Sequence, residues 1–180
     1  EGEGYAPEGV IVADEKRLAA PPAALAAMLR AAALCNDAVL REAGGAWIVE
    51  GDPTEGALLA AAYRGGLDPL AEAQRLPRRD AIPFEPEARF MATLHRAPGG
   101  AGIAFVKGAP ERVIAMCSRE AAADGRRPIA AERWLARARE LAAAGFRVLA
   151  IAEKSLDGPL PDALLHGEVA AGCTMLGLYA

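Results

Sequence analysis

Apolar positions along this chain alternate between two periods, and the alternation predicts a mixture of helices and strands. In "PPAALAAMLRAAALCND", Leu25, Met28, Leu29 and Ala32 recur at i, i+3, i+4 and i+7 behind a Pro pair, which predicts a helix over about residues 22–35. "GDPTEGALLAAAYRGG" is marked at both ends. Asp52 can cap it, Pro53 suits the first turn, Glu55 stands three after the cap, and Gly65 can close it. Residues 67–76 predict a short second helix, and another starts on Pro110 and runs to about Cys117. Over residues 129–144, Trp134, Leu135, Ala138, Leu141 and Ala142 share one face, and Gly145 ends that helix.

Between these lie runs with strand character. "GVIVADE" (9–15) is a short candidate and "GGAWIVEG" a hairpin-like one. "RRDAIPF" is extended, because Pro83 disfavours helix in the residue before it. "ARFMATLHR" and "AGIAFVKG", joined by "APGG", predict an antiparallel hairpin. "DGRRP" reads as a loop, "FRVLAIAEK" as a strand, "DGPLPDALLHG" as a connection and "VAAGCTMLGLYA" as a last apolar strand. The pattern predicts a single α+β domain over residues 1–180: a twisted, mostly antiparallel sheet with helices packed against it.

Composition narrows the function. The 53% hydrophobic content is inflated by 44 Ala, whereas aromatics make up only 5%. A net charge of −4 and a pI near 5.3 argue against a nucleic-acid footprint. Cys35, Cys117 and Cys173 lie far apart with no C-x-x-C spacing, so neither a zinc site nor a disulfide framework is indicated, and a reducing compartment is the default. No apolar run is long enough to span a bilayer, which points away from direct membrane contact. The acidic, Gly-rich start "EGEGYAPEG" reads like the middle of a longer chain. A P-loop and a G-x-S-x-G elbow are absent, and His95 and His166 are isolated, as structural or solvated histidines are.

Four segments hold residues that chemistry could use, and each has two readings. Lys107, one of three Lys beside 17 Arg, sits between an apolar run and a helix start and is followed by Gly108. It is either a solvated turn residue or a compact cation at an anion site. Glu55 is either a capping-box carboxylate or a functional one. Phe84, between Pro83 and Pro86, either fills the core or offers a flat face to a base. Arg147, after the helix end, is an edge-strand charge or a ligand contact.

Taken together, "CNDA…GDPTEGAL", "PFEPEARFM", "FVKGAPE" and "GFRVLAIA" resemble, in order and spacing, the nucleotide-binding domain of P-type cation-transporting ATPases, most closely the type II, calcium-pump-like branch. "KGAPE" after a strand is the most specific, and the resemblance extends from about residue 10 to 180. It implies that Phe84 stacks on adenine and that Glu55 accepts from the adenine amino group. It implies that Lys107 and Gly108 floor the pocket and that Arg147 meets the phosphate tail. Arg89 stands where the family more often has Lys, and Met91 follows at the family's spacing, as a pocket wall or a core residue. The "EPEA" segment is acidic and takes no role from the family.

The resemblance further implies ATP as ligand, carried as Mg-ATP in an intact pump. The implied partners are the phosphorylation, actuator and transmembrane domains, around a cytoplasmic domain of a bacterial plasma-membrane protein. The phosphorylatable D-K-T-G-T motif and the magnesium-binding acidic loop are not in this chain, so the expectation is a domain that binds ATP without transferring phosphate. A stand-alone nucleotide sensor or partner-binding module is the alternative. Heavy-metal pumps are disfavoured, because neither His precedes a Pro.

Overall fold

The computed structural model describes residues 4–13 and 15–180. Residues 1–3 of the acidic start and Asp14 of the expected first strand lie outside the described residues. What is described there is a minimal antiparallel pair, β1 (Val12–Ala13) with β2 (Lys16–Arg17).

The expected helices form with close to the expected limits. They are α1 (Ala23–Leu34), α2 (Pro53–Arg64), α3 (Pro69–Arg75), α4 (Pro110–Ala115) and α5 (Ala131–Ala143). Asp52 caps α2, accepting from the amides of Thr54 at 2.7 Å and Glu55 at 3.3 Å. Asp68 caps α3 in the same way through Leu70 at 2.9 Å. The expected connection near residue 160 contains one short helix, α6 (His166–Val169).

Strands differ more from expectation. "WIVE" pairs with a partner the pattern missed: β3 (Val39–Ala43) runs antiparallel to β4 (Ala46–Glu50). Gly44 and Gly45, both at positive φ (62° and 79°), make the tight turn between them. "VLREA" escaped notice because Leu, Arg, Glu and Ala all favour helix. The expected "DGRRP" loop is also corrected. Its last four residues form a strand, β9 (Gly125–Pro128), which pairs antiparallel with β8 (Cys117–Ala122).

The main sheet has seven strands, ordered β5-β6-β7-β10-β11-β8-β9, with β5 (Arg78–Glu85), β6 (Phe90–Arg96), β7 (Gly102–Gly108), β10 (Leu149–Ser155) and β11 (Cys173–Tyr179). All neighbours are antiparallel except β8 with β11. The fold is thus α+β, with a mostly antiparallel sheet flanked by helices, as the pattern predicts.

Helices cover both faces of the sheet, so its middle strands are buried on both sides and alternation becomes a choice between two cores. Phe90, Ala92 and Leu94 of β6 join Ala104 and Val106 of β7 in a core closed by Val113 and Ile114 of α4, with Trp134 and Leu135 of α5 against it. Met91 and Phe105 point the other way, against Ala31, Leu34 and Cys35 at the end of α1 and Leu58 of α2. His95 shares this second side. Its ring nitrogens lie 2.8 Å from the Leu76 carbonyl and 2.9 Å from Thr93 Oγ1, and burial pushes its pKa down. This is the structural role expected of an isolated histidine.

A buried carboxylate ties the far edge together. Glu120 of β8 is fully buried and accepts from Arg127 Nε, Arg133 Nη2, Trp134 Nε1 and the Ala130 amide at 2.6–3.0 Å. One side chain therefore links β8, β9 and α5.

Candidate functional site

Where β7 ends, its neighbours in the sheet end or begin as well. Gly108 is paired with Phe90 at the start of β6 on one side and with Ala150 near the start of β10 on the other. Between Ile82 and Glu85 the β5–β6 register slips, so Pro83 and Phe84 form a bulge. The first turn of α2 approaches from the second helical layer. These segments enclose a cleft of about 510 Å³, lined by Asp52, Thr54, Glu55, Phe84, Arg89, Lys107, Gly108, Ala109, Pro110, Arg147, Val148 and Leu149. Small-molecule sites typically measure ~300–1,000 Å³.

Six of the seven expected site residues therefore line one cavity, although they are spread over residues 55–147. Met91 does not. It is buried in the second core, and its carbonyl accepts a weak bond from Cys35 Sγ at 3.6 Å. Of its two readings the core one is realised, because Met91 sits on the sheet face turned to α1.

Phe84 is 59% exposed, which disposes of its core reading. The bulge turns its ring out of the sheet and into the cleft wall. Lys107 is not the solvated turn residue of the local reading either. Only 8% of its side chain is exposed, and Nζ donates to Glu55 Oε1. The other Glu55 oxygen accepts from the Asp37 amide at 3.1 Å. The carboxylate thus serves the cleft rather than a capping box. It joins α2 to β7 across the pocket floor.

Gly108 has a structural reason to be glycine. A Cβ there would lie 2.4 Å from the Arg89 carbonyl and 2.7 Å from Phe90 Cα, so β6 leaves no room for one. The absence of a side chain also keeps the cleft floor open. Arg89 adopts a left-handed conformation, with φ 56°, at the bend into β6. Its guanidinium pairs with Glu111 of α4 at 2.6 Å, and both side chains are about half exposed. Arg147 was expected just inside a strand. It stands instead in the exposed link before β10, at the rim of the cleft.

Asp52 was read from the sequence only as a helix cap, but it lines the cleft too. Partial burial works against its charge. Hydrogen bonds from Thr54 and the Glu55 amide, together with the Arg147 guanidinium, outweigh this and hold its pKa below the ordinary value. The amides at the start of α2 are thereby occupied. Positive charge in the cleft comes from Lys107, Arg89 and Arg147, not from that helix terminus. No group of three His, Cys, Asp or Glu able to hold a metal ion occurs among the described residues. Both cleft carboxylates are engaged, Glu55 by Lys107 and Asp52 by amides, so this donor set does not fit a metal of the protein's own.

The sheet carries helices on both faces, and the cleft at its end joins an exposed aromatic ring to several cationic side chains. The family model for the P-type ATPase cytoplasmic domain N matches residues 24–180, and the chain belongs to this family. "Cation-transporting ATPase pma1" of Synechocystis is 37% identical over 185 residues, 98% of this chain and 20% of that protein. "Probable cation-transporting ATPase F" of Mycobacterium tuberculosis is 39% identical over 183 residues, 99% of this chain and 20% of that protein. "Calcium-transporting ATPase type 2C member 1" of Bos taurus is 36% identical over 121 residues, 65% of this chain and 12% of that protein. The chain spans about a fifth of the length of the first two relatives. Among the described residues no helix is long and apolar enough to cross a membrane.

Proposed function

We propose that this chain binds ATP in the cleft and, within a cation-transporting P-type ATPase, presents the γ-phosphate to an aspartate on a neighbouring domain. The observation that carries the reading is Phe84. A large apolar ring left 59% exposed in a cleft wall, with Lys107, Glu55 and Arg147 lining the same cleft, suits a flat base that carries a charged tail. Adenine stacks on Phe84, and its amino group donates to Glu55. Guanine would turn a carbonyl oxygen toward that carboxylate and be repelled. Lys107, Arg89 and Arg147 lie toward the ribose and phosphates. Magnesium carried with the triphosphate would not take its ligands from the cleft carboxylates, because Glu55 is engaged by Lys107 and Asp52 by amides.

In the intact pump this would be a cytoplasmic domain working with phosphorylation, actuator and transmembrane domains. Closure of the first of these onto the cleft would bring the γ-phosphate to its acceptor. Without that closure the site is open, so affinity is modest, with a Kd of roughly 0.1 to a few mM. Titration with ATP, followed by NMR or calorimetry, tests the proposal. Saturable shifts centred on Phe84 and Gly108 support it, and no response up to ~10 mM overturns it.

A further inference from the structure

Asn36 occupies the turn between α1 and β3, within the "CNDA" segment, and its side chain reaches the first turn of α2. Nδ2 donates to the Glu55 carbonyl at 2.9 Å and to the Ala32 carbonyl at 3.4 Å. Oδ1 accepts from the Ala38 amide at 2.9 Å. The next amide in the chain, that of Asp37, donates to Glu55 Oε2 at 3.1 Å. The turn therefore holds Glu55 twice, by its main chain through the Asn36 amide and by its carboxylate through Asp37.

This arrangement requires an amide at position 36. Two of the three partners are carbonyl acceptors and the third is an N–H donor, and only a group with a donor on one side and an acceptor on the other satisfies all three. A carboxylate of the same shape would keep the Ala38 bond but set an acceptor against the Glu55 carbonyl. The consequence reaches the cleft. Glu55 Oε1 is engaged by Lys107 and Oε2 by Asp37, so the direction of the remaining lone pairs depends on where the first turn of α2 sits. Hydrogen bonding weakens steeply with misalignment, and so does any choice between bases that rests on it.

We infer that Asn36 is a positioning residue for base selection: it clamps the first turn of α2 to the end of α1, so that the Glu55 carboxylate meets the base in one fixed orientation. This rests on the ATP-binding reading above. It adds a residue that lies outside the cleft wall and acts on the base through Glu55.

The experiment measures the ATP and GTP affinities of the wild-type chain, Asn36→Asp, Glu55→Gln and the double variant, with melting curves alongside. Asn36→Asp is expected to narrow the preference for ATP over GTP by roughly threefold or more, the scale of one hydrogen bond. In the Glu55→Gln background the same change should narrow it no further, because the two act through one carboxylate. A purely structural Asn36 would lower the melting temperature and both affinities together and leave their ratio unchanged, which overturns the inference. If Asn36→Asp does not fold, the wild-type chain decides. At saturation the Asp37 amide resonance should shift more with ATP than with GTP, and equal shifts overturn the inference. A wild-type chain that binds neither nucleotide overturns the ATP reading and this inference together, whereas one that binds both equally overturns base selection by Glu55 and this inference while ATP binding stands. A wild-type preference lost in Glu55→Gln but kept in Asn36→Asp overturns only the role of Asn36.

Discussion

Lys107 of β7 and Glu55 of α2, 52 residues apart in sequence, form an ion pair on the floor of the cleft, with 8% and 15% of their side chains exposed. An ammonium this far from water needs its partner, and the pair also fastens the α2 layer to the sheet. Glu55→Gln should therefore have two effects. It should narrow the preference for ATP over GTP, and it should cost about 1.5–3 kcal/mol of stability, the range for a hydrogen bond to a charged group. Competition binding and denaturant unfolding check these. Lys107→Ala should overlap with it, so that the stability losses in the double variant add to less than their sum.

Phe84→Ala should remove base stacking, worth about 1–3 kcal/mol of ATP affinity. Because the ring is mostly exposed, the stability change should stay within about 0.5 kcal/mol, as at other surface positions. A melting curve beside a binding isotherm checks both. A buried Phe would instead cost about 3–5 kcal/mol of stability.

The Glu120 carboxyl is held down from 4.5 to about 2. Burial alone would raise it, but the Ala130 amide, Arg127, Trp134 and Arg133 more than offset that. A depressed carboxyl stabilises the fold fully above its unfolded value and loses that contribution as pH falls through its folded value. The wild-type domain should thus lose stability between about pH 4.5 and pH 2. Glu120→Gln should cost about 1.5–3 kcal/mol near neutral pH, and its deficit should shrink across the same acid window. Urea unfolding at a series of pH values measures both.

The purified chain should bind ATP without hydrolysing it or becoming phosphorylated, with or without Mg²⁺. Phosphoryl transfer needs an in-line nucleophile and a metal bridging the phosphates. Neither Ser118 nor Ser155 is among the residues lining the cleft, and its two carboxylates are already engaged. Incubation with γ-labelled ATP and an acid quench tests this. Stoichiometric label on the protein, or phosphate release lost in Lys107→Ala, is the contrary outcome.

Signals that act over a few residues were readable directly from the sequence. The Asp52-Pro53 helix start, the "APGG" turn, the apolar face of α5 and the run of "FVKG" into Pro110 each specify their own local geometry, because caps, turns and helical periodicity are set by near neighbours. The polar strands β8 and β9 were not readable. "CSREAA" and "GRRP" carry little strand propensity, and the carboxylate that links them to α5 is satisfied by Arg127 and Arg133 from outside its own strand.

The sequence by itself determined the sort of elements present and, through the resemblance, which residues to watch. Only the tertiary structure decided which way those residues face. In a sheet covered on both sides, neighbouring positions belong to opposite layers, so Met91 goes to the α1 core while Phe90 goes to the other. One slipped register at Pro83 and Phe84 turns an aromatic ring outward that regular pairing would have kept in the sheet. The sequence supplies a Lys at position 107. That its charge is buried against Glu55, and not left in solvent, follows from the packing of α2 over the end of β7, a long-range contact that no local pattern encodes.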